Sequence, residues 1–176
     1  SSDLIRTILV DDEKLAIQGM EHRLAAHDDV YVVDTCSNGR EAIRSIKTNK
    51  PDLVFLDIQM PGFDGFSVVQ GLMEVEPPLF VFVTAYSDHA IRAFEAQATD
   101  YLMKPVEPER LADCLERVRQ RLAERRGVEE AERLKEALAE HAPEHGVVPL
   151  GHRLQHVVDT RLLSDAAQRT AILQQA

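Results

Sequence analysis

The sequence predicts a doubly wound α/β fold, a parallel sheet covered by helices on both faces. Three observations carry that reading. Strand-like and helix-like segments alternate five times in about 120 residues. The strand-like segments are continuous apolar runs, as expected of a sheet buried on both sides. Polar residues fall at the ends of these runs, where an open sheet of this kind builds its site.

Thr7-Ile8-Leu9-Val10 is the first β-rich run, and it ends in Asp11-Asp12-Glu13. Leu15 to Ala26 follows with Leu15, Ile17, Met20 and Leu24 at helical spacing. Val30 to Cys36 reads as strand, Gly39 to Lys47 as helix, and Asp52 to Leu56 as strand. Gly65 to Met73 is a helix that turns Phe66, Val69 and Leu72 inward. Leu79 to Thr84 is a nearly all-apolar strand, and Asp88 to Ala96 a helix opened by Ser87 or Asp88 as cap. Asp100 to Met103 is a short strand, followed by Lys104-Pro105 and a long helix from Pro108.

Beyond the fifth strand the pattern changes. Leu111, Leu115, Val118 and Leu122 step by four, three and four, the spacing of a coiled-coil seam. Arg125-Arg126-Gly127 interrupts it, and Val128, Ala131, Leu134 and Leu138 resume at another phase. Two readings stand: a helix that packs on the sheet and continues as a solvated linker, or a dimerising helix. The expected division is a domain over 4–122, a linker or coiled-coil helix over 123–141, and a helical tail of unassigned role over 142–176.

Composition bounds the function. The 176 residues hold one ordinary domain with room for a helical appendage. The net charge of −10 disfavours broad electrostatic binding to nucleic acid or anionic lipid. Residues 1–106 hold 17 acids against 9 Lys/Arg, so the acidity belongs to the first domain. Cys36 and Cys114 form no disulfide framework or metal spacing, which points to a reducing compartment. No apolar run approaches the ~18–20 residues of a membrane span, and no signal-peptide pattern precedes the first strand. The expected setting is cytoplasmic, without direct nucleic-acid binding by this chain.

Asp11, Asp12, Asp57, Thr84 and Lys104 fall at strand ends. A single acid there is ordinarily a helix N-terminal charge. Three carboxylates converging from two strands would repel one another, which raises a pKa or demands a cation. Hard oxygen ligands suit Mg²⁺ or Mn²⁺. A lysine and a hydroxyl beside such a cation can hold phosphoryl oxygens. The economical chemistry is then attack by Asp57 on phosphorus to give an aspartyl phosphate. Pro105 restricts the backbone of Lys104, and a cis bond between them is an expected form.

VDDE at 10–13, FLDIQMPGFDGF at 55–66, VTAY at 83–86 and DYLMKP at 100–105 resemble the receiver domain of two-component response regulators. The likeness spans roughly residues 4–122 and keeps order and spacing. TAYSDHAIRAFEAQATDYLMKPV further resembles receivers of the LytR/AlgR class, whose usual output is a LytTR DNA-binding domain. The resemblance implies a flavodoxin-like (βα)5 fold with strand order 2-1-3-4-5, followed by a helical C-terminal extension. It implies Asp57 as phosphoacceptor, and Asp11, Asp12, Asp57 and the Gln59 backbone carbonyl as metal ligands. It makes Thr84 the hydroxyl that moves to the phosphoryl group, Lys104 the phosphate-pairing lysine, and Tyr101 the aromatic switch. A core aromatic with a wet hydroxyl remains the alternative for Tyr101. Tyr86 is either a shield over the site or a surface tyrosine. Gln97 departs from the Gly or Asn that the resemblance implies where the chain leaves the fourth helix, and a left-handed backbone there costs Gln more than either.

The implied partners are a histidine kinase or phosphotransfer protein as donor, and a homodimer through the face of the fourth helix, fifth strand and fifth helix, or through the C-terminal helices. The implied function is a switch rather than an enzyme, with slow self-dephosphorylation at most. A Mg²⁺-dependent aspartyl phosphatase is disfavoured because Asp57-Ile58-Gln59 lacks the second carboxylate of its DxD motif. A nucleotide or flavin domain lacks its Gly-rich loop. The seven histidines show no paired metal spacing. Residues 123–176 are too few for a LytTR domain. Output through such a domain outside this chain, and a stand-alone receiver acting through its helical tail, both remain open.

Overall fold

The computed structural model describes residues 4–72, 76–86 and 90–141. Five strands, β1 (Ile5–Val10), β2 (Val30–Cys36), β3 (Leu53–Leu56), β4 (Leu79–Thr84) and β5 (Asp100–Met103), alternate with helices α1 (Lys14–Leu24), α2 (Gly39–Asn49), α3 (Gly65–Gln70), α4 (Ala90–Glu95) and α5 (Pro108–Glu140). The strands form one sheet in the order β2-β1-β3-β4-β5. Every neighbouring pair is parallel. This is the predicted flavodoxin-like arrangement.

Strand periodicity divides the core into two layers. Ile5, Leu9, Leu53, Phe55, Val81 and Val83 face one side, with Met20 and Leu24 of α1 and Leu111, Leu115 and Val118 of α5. Ile8, Val10, Val54, Leu56, Phe80 and Phe82 face the other, with Ala42 and Ile46 of α2 and Phe66, Val68 and Val69 of α3. Successive strand residues alternate between faces. Both faces are covered, so β3 and β4 read as unbroken apolar runs.

Local chemistry sets the helix ends. Asn38 caps α2 by accepting from Glu41 N at 3.0 Å, and the Glu41 carboxylate accepts from Ser37 N at 3.0 Å. Asp64 caps α3 by accepting from Ser67 N at 2.8 Å. Lys50 closes α2 in the left-handed region at φ 46°, and Gln97 takes the same region at φ 57° after α4. The sequence singled out Gln97 as costly in that conformation, and the structure adopts it. The Lys104–Pro105 peptide is cis.

Several boundaries differ from the sequence reading. β1 begins at Ile5 and α2 runs to Asn49, while α3 ends at Gln70 and α4 occupies Ala90–Glu95. Leu15 is 81% exposed rather than in the core. It lies about 140° around α1 from Met20, whereas Leu24 lies about 40° away and shares the buried stripe. Met73, the proposed Ser87 or Asp88 cap and the tail over 142–176 lie outside the described residues.

The chain separates into a unit of residues 1–130 and a unit of 131–176. In the first, the α5 seam of Leu111, Leu115, Val118 and Leu122 is buried. Every residue of α5 after Leu122 is exposed. Gly127 does not end the helix; a glycine costs only about 1 kcal/mol there among good helix formers. Among the described residues no helix is long and apolar enough to cross a membrane.

Candidate functional site

The site forms where β1, β3, β4 and β5 end. Asp57 N donates to Val10 O at 2.9 Å, and Asp11 N donates to Cys36 O at 3.0 Å. These bonds fix the two acids side by side at the carboxyl edge of the sheet. Lys104 N donates to Thr84 O at 2.8 Å, which joins the ends of β4 and β5. Gly65 lets α3 approach from the other side. Its N donates to Ile58 O at 2.9 Å, and a Cβ there would stand 2.5 Å from Asp57 O.

Asp11, Asp57 and Thr84 are buried at 7%, 5% and 0% exposure. Asp12 is exposed. Carboxylate oxygens of Asp11, Asp12 and Asp57 all lie within 4.8 Å of one another. Lys104 Nζ sits 2.6 Å from Asp11 Oδ2 and 3.2 Å from Asp57 Oδ2. The other Asp57 oxygen accepts from Gln59 N at 3.2 Å. Asp11 Oδ1 accepts from Glu13 N at 2.9 Å. Both buried acids therefore have one oxygen tied to backbone and one paired with the lysine.

Burial pushes the Asp57 carboxyl above its ordinary value; Lys104 pulls it down and Asp11 pushes it up again. Burial alone would lower the Lys104 pKa, but the Asp11 and Asp57 carboxylates raise it above the ordinary lysine value. The ammonium thus stays charged between two acids. This donor set, three carboxylates with hard oxygens converging in a half-open site, fits a small divalent cation.

The Thr84 hydroxyl accepts from Tyr86 N at 3.4 Å. Tyr101 packs partly buried against the layer of α2, α3 and β4, and its hydroxyl donates to the Tyr86 carbonyl. Of the two sequence readings for Tyr86, its 49% exposure matches the surface tyrosine. Its backbone nonetheless links Thr84 to Tyr101. Pro105 lines a groove beside the site with Asp11, Lys104, Leu15 and Met20.

Arg92, Arg23 and Asp64 were not singled out in the sequence, although a local signal exists for Asp64. Arg92 of α4 lies 4.1 Å over the Phe66 ring and 4.0 Å from Asp64, and it lines an open cleft with Asp12 and Gln59. Arg23 of α1 donates from Nε to Val106 O at 2.7 Å, two residues past Lys104. No local pattern marks either arginine, since each partner is distant in sequence or on another element. Asp64 was legible as a cap three residues before Ser67.

A parallel sheet of this order, with buried aspartates and a lysine at its carboxyl edge, has the form of a signal-receiver module. The chain belongs to the response regulator receiver domain family, whose family model matches residues 7–116. It is 44% identical over 117 residues to the "Transcriptional regulatory protein BtsR" of Salmonella typhi, covering 66% of this chain and 49% of that protein. It is 46% identical over 115 residues to an "Uncharacterized response regulatory protein" of Yersinia pestis, covering 65% and 48%. The chain thus spans about half the length of the curated relatives it matches. Among solved structures, it matches the response regulatory domain of mrkE from Klebsiella pneumoniae with a TM-score of 0.63 and 31% identity. That match covers 68% of this chain and 99% of the other. This is the receiver domain of a two-component response regulator.

Proposed function

We propose that residues 4–122 accept a phosphoryl group on Asp57 and pass the signal on as a change of surface. The observation that carries this reading is a buried Asp57 paired at 3.2 Å with Lys104, which also holds Asp11 at 2.6 Å. A carboxylate held by backbone on one oxygen and by an ammonium on the other is positioned, charged and desolvated, as a nucleophile requires. The donor is a histidine kinase or phosphotransfer protein.

Asp11, Asp12 and Asp57, with the Gln59 backbone carbonyl, would hold Mg²⁺ or Mn²⁺. When bound, such a cation neutralises charge on the transferring phosphoryl oxygens. The chain's own groups do the rest. Lys104 meets the phosphoryl oxygens as they arrive, releasing part of its pairing with Asp57. The Thr84 hydroxyl turns to donate to a phosphoryl oxygen, and the loop through Tyr86 follows. Tyr101 loses its present acceptor at Tyr86 O and moves inward, and Pro105 keeps Lys104 in place through the change. The face of α4, β5 and α5 changes with them, as a shift of population between two packings.

We place the output in transcription, through a LytTR-type DNA-binding module outside these 176 residues. The relative from Salmonella typhi, a transcriptional regulatory protein by name, supports transcription, and the TAYSDHAIRAFEAQATDYLMKPV segment supports the LytR/AlgR class. The setting is cytoplasmic, turnover is limited to slow self-dephosphorylation, and a second copy of the chain is a further partner. The test is to incubate the protein with a small phosphodonor and Mg²⁺ and measure intact mass. One phosphoryl adduct is expected, absent with EDTA and absent in Asp57→Ala. An adduct that survives Asp57→Ala would overturn the assignment.

A further inference from the structure

Arg92 stands at the mouth of the site with its hydrogen-bond donors unspent. Its guanidinium lies 4.1 Å over the centre of the Phe66 ring and 4.0 Å from Asp64 Oδ2. Neither contact is a hydrogen bond, and among the described residues none accepts one from its side chain. An ion pair at 4.0 Å between half-exposed partners contributes little, so Asp64 does not hold the guanidinium fast. The ring gives it a fixed seat. Phe66 is buried, and its ring lies 4.8 Å from that of Phe82 in the core of β4. Attraction to an aromatic face acts through the charge and leaves the N–H groups for another partner.

The surroundings identify that partner. Arg92 lines a cleft of about 520 Å³ with Asp12, Gln59, Pro61 and Asp64, and is the one cation among its described lining residues. Asp12 and Gln59 are metal ligands in the reading above, so this cleft meets the site on the side that would hold the cation and the phosphoryl group. Lys104, the other cation of the site, is held between Asp11 at 2.6 Å and Asp57 at 3.2 Å. The remaining charges are negative, with Asp12 and Asp64 in the cleft and Asp11 and Asp57 behind it. An anionic phosphodonor that enters here meets repulsion, which Arg92 opposes.

We infer that Arg92 binds the phosphoryl oxygens of the incoming phosphodonor in this cleft and so sets how readily an anionic donor is admitted. This role rests on Asp57 as the acceptor proposed above. A planar fork of N–H donors matches two phosphoryl oxygens, and release from Asp64 costs little. With acetyl phosphate as donor, an Asp57 carboxylate oxygen bonds to phosphorus, the bond from phosphorus to the acetyl oxygen breaks, and acetate leaves with that electron pair. Arg92 makes and breaks no bond; it is a binding residue for the donor.

Acetyl phosphate with Mg²⁺ is the probe, and adduct formation on the full chain is followed by intact mass over a donor concentration series. Arg92→Ala is expected to lower the rate per unit of donor at low concentration about 3–10-fold, with the rate at high donor within about twofold of wild type. Arg92→Lys recovers part of the loss, because it keeps the charge without the fork. Added salt narrows the gap between wild type and Arg92→Ala. Asp64→Asn keeps a capping oxygen for α3 and removes the acid that competes for Arg92, so its rate at low donor rises. A clamp that only packed α4 on α3 would show neither the salt dependence nor that rise. Equal rates at low donor in wild type and Arg92→Ala, with adduct formed, would overturn this inference alone. So would a loss that Arg92→Lys or salt leaves unchanged, or an Asp64→Asn rate at or below wild type. Absence of adduct in the wild type would overturn the reading at Asp57 and this inference together.

Discussion

At Asp57, burial raises the carboxyl pKa, the Lys104 ammonium opposes it, and the Asp11 carboxylate adds to it. An acid whose folded pKa lies above its unfolded value loses stability as pH rises through the folded value. Ionised Asp57 is therefore a cost to the fold in the absence of a cation. Asp57→Asn is expected to melt higher than wild type at neutral pH in EDTA. The gap should close as the pH falls and wild-type Asp57 takes up its proton; thermal unfolding over a pH series checks this. A saturating cation should reverse the order, since binding to the folded state alone stabilises it by about 2.7 kcal/mol at about 100 Kd. Lys104→Ala tests the other half of the pair. Losing one charge-assisted contact to the phosphoryl oxygens should slow adduct formation by about 10–100-fold, read from the time course of intact mass.

Elements deliver these residues, and Gly65 is where delivery is tightest. Its missing Cβ leaves room for Asp57 O, which would otherwise stand 2.5 Å away. Gly65→Ala should destabilise the domain by about 1–3 kcal/mol and reduce adduct formation, because the backbone it displaces is that of Asp57. Urea unfolding and the adduct assay read the two effects. At this scale much was legible in the sequence. β4 falls where its apolar run begins and ends, since burial on both faces leaves no alternation to blur it, and the bounds of β2 and β5 also match the sequence reading. The α5 seam was legible because its spacing of four and three survives in the packing. Leu15 was not, because helical spacing alone does not say which side of a broad apolar arc meets the sheet. The unbroken passage of α5 through Gly127 was hidden by a glycine that costs too little to stop a long helix.

Across the whole molecule, the convergence of Asp11, Asp12 and Asp57 at one sheet edge was legible and its internal arrangement was not. Acids at two strand ends, with Thr84 and Lys104, are set by topology, so their convergence follows from strand order. That Lys104 sits nearer Asp11 than Asp57, and that Arg23 and Arg92 brace the surroundings, depends on side-chain reach between distant segments. The same holds for the ion cluster that ties β5 to α5. Asp100 accepts from Arg110 at 2.9 Å and from Arg117 at 2.6 Å. Burial alone would raise its pKa, but Arg110, the Tyr101 N–H and Arg117 bring it below the ordinary 3.8. A depressed acid contributes its stability above the unfolded pKa and loses it as pH falls through the lower folded value. Asp100→Asn should therefore cost about 1–3 kcal/mol at neutral pH. The deficit should shrink only below about pH 4, as urea midpoints across an acid series would record.

The central claim is that Asp57 itself becomes the acyl phosphate, and one measurement addresses it directly. Protein treated with a small phosphodonor and Mg²⁺ is reduced with borohydride, which converts an aspartyl phosphate to homoserine, and its peptides are sequenced by mass spectrometry. Homoserine is expected at position 57 and at no other acid, and none when the phosphodonor is withheld. Homoserine at position 11 or 12, or an adduct with position 57 still aspartate, would contradict it.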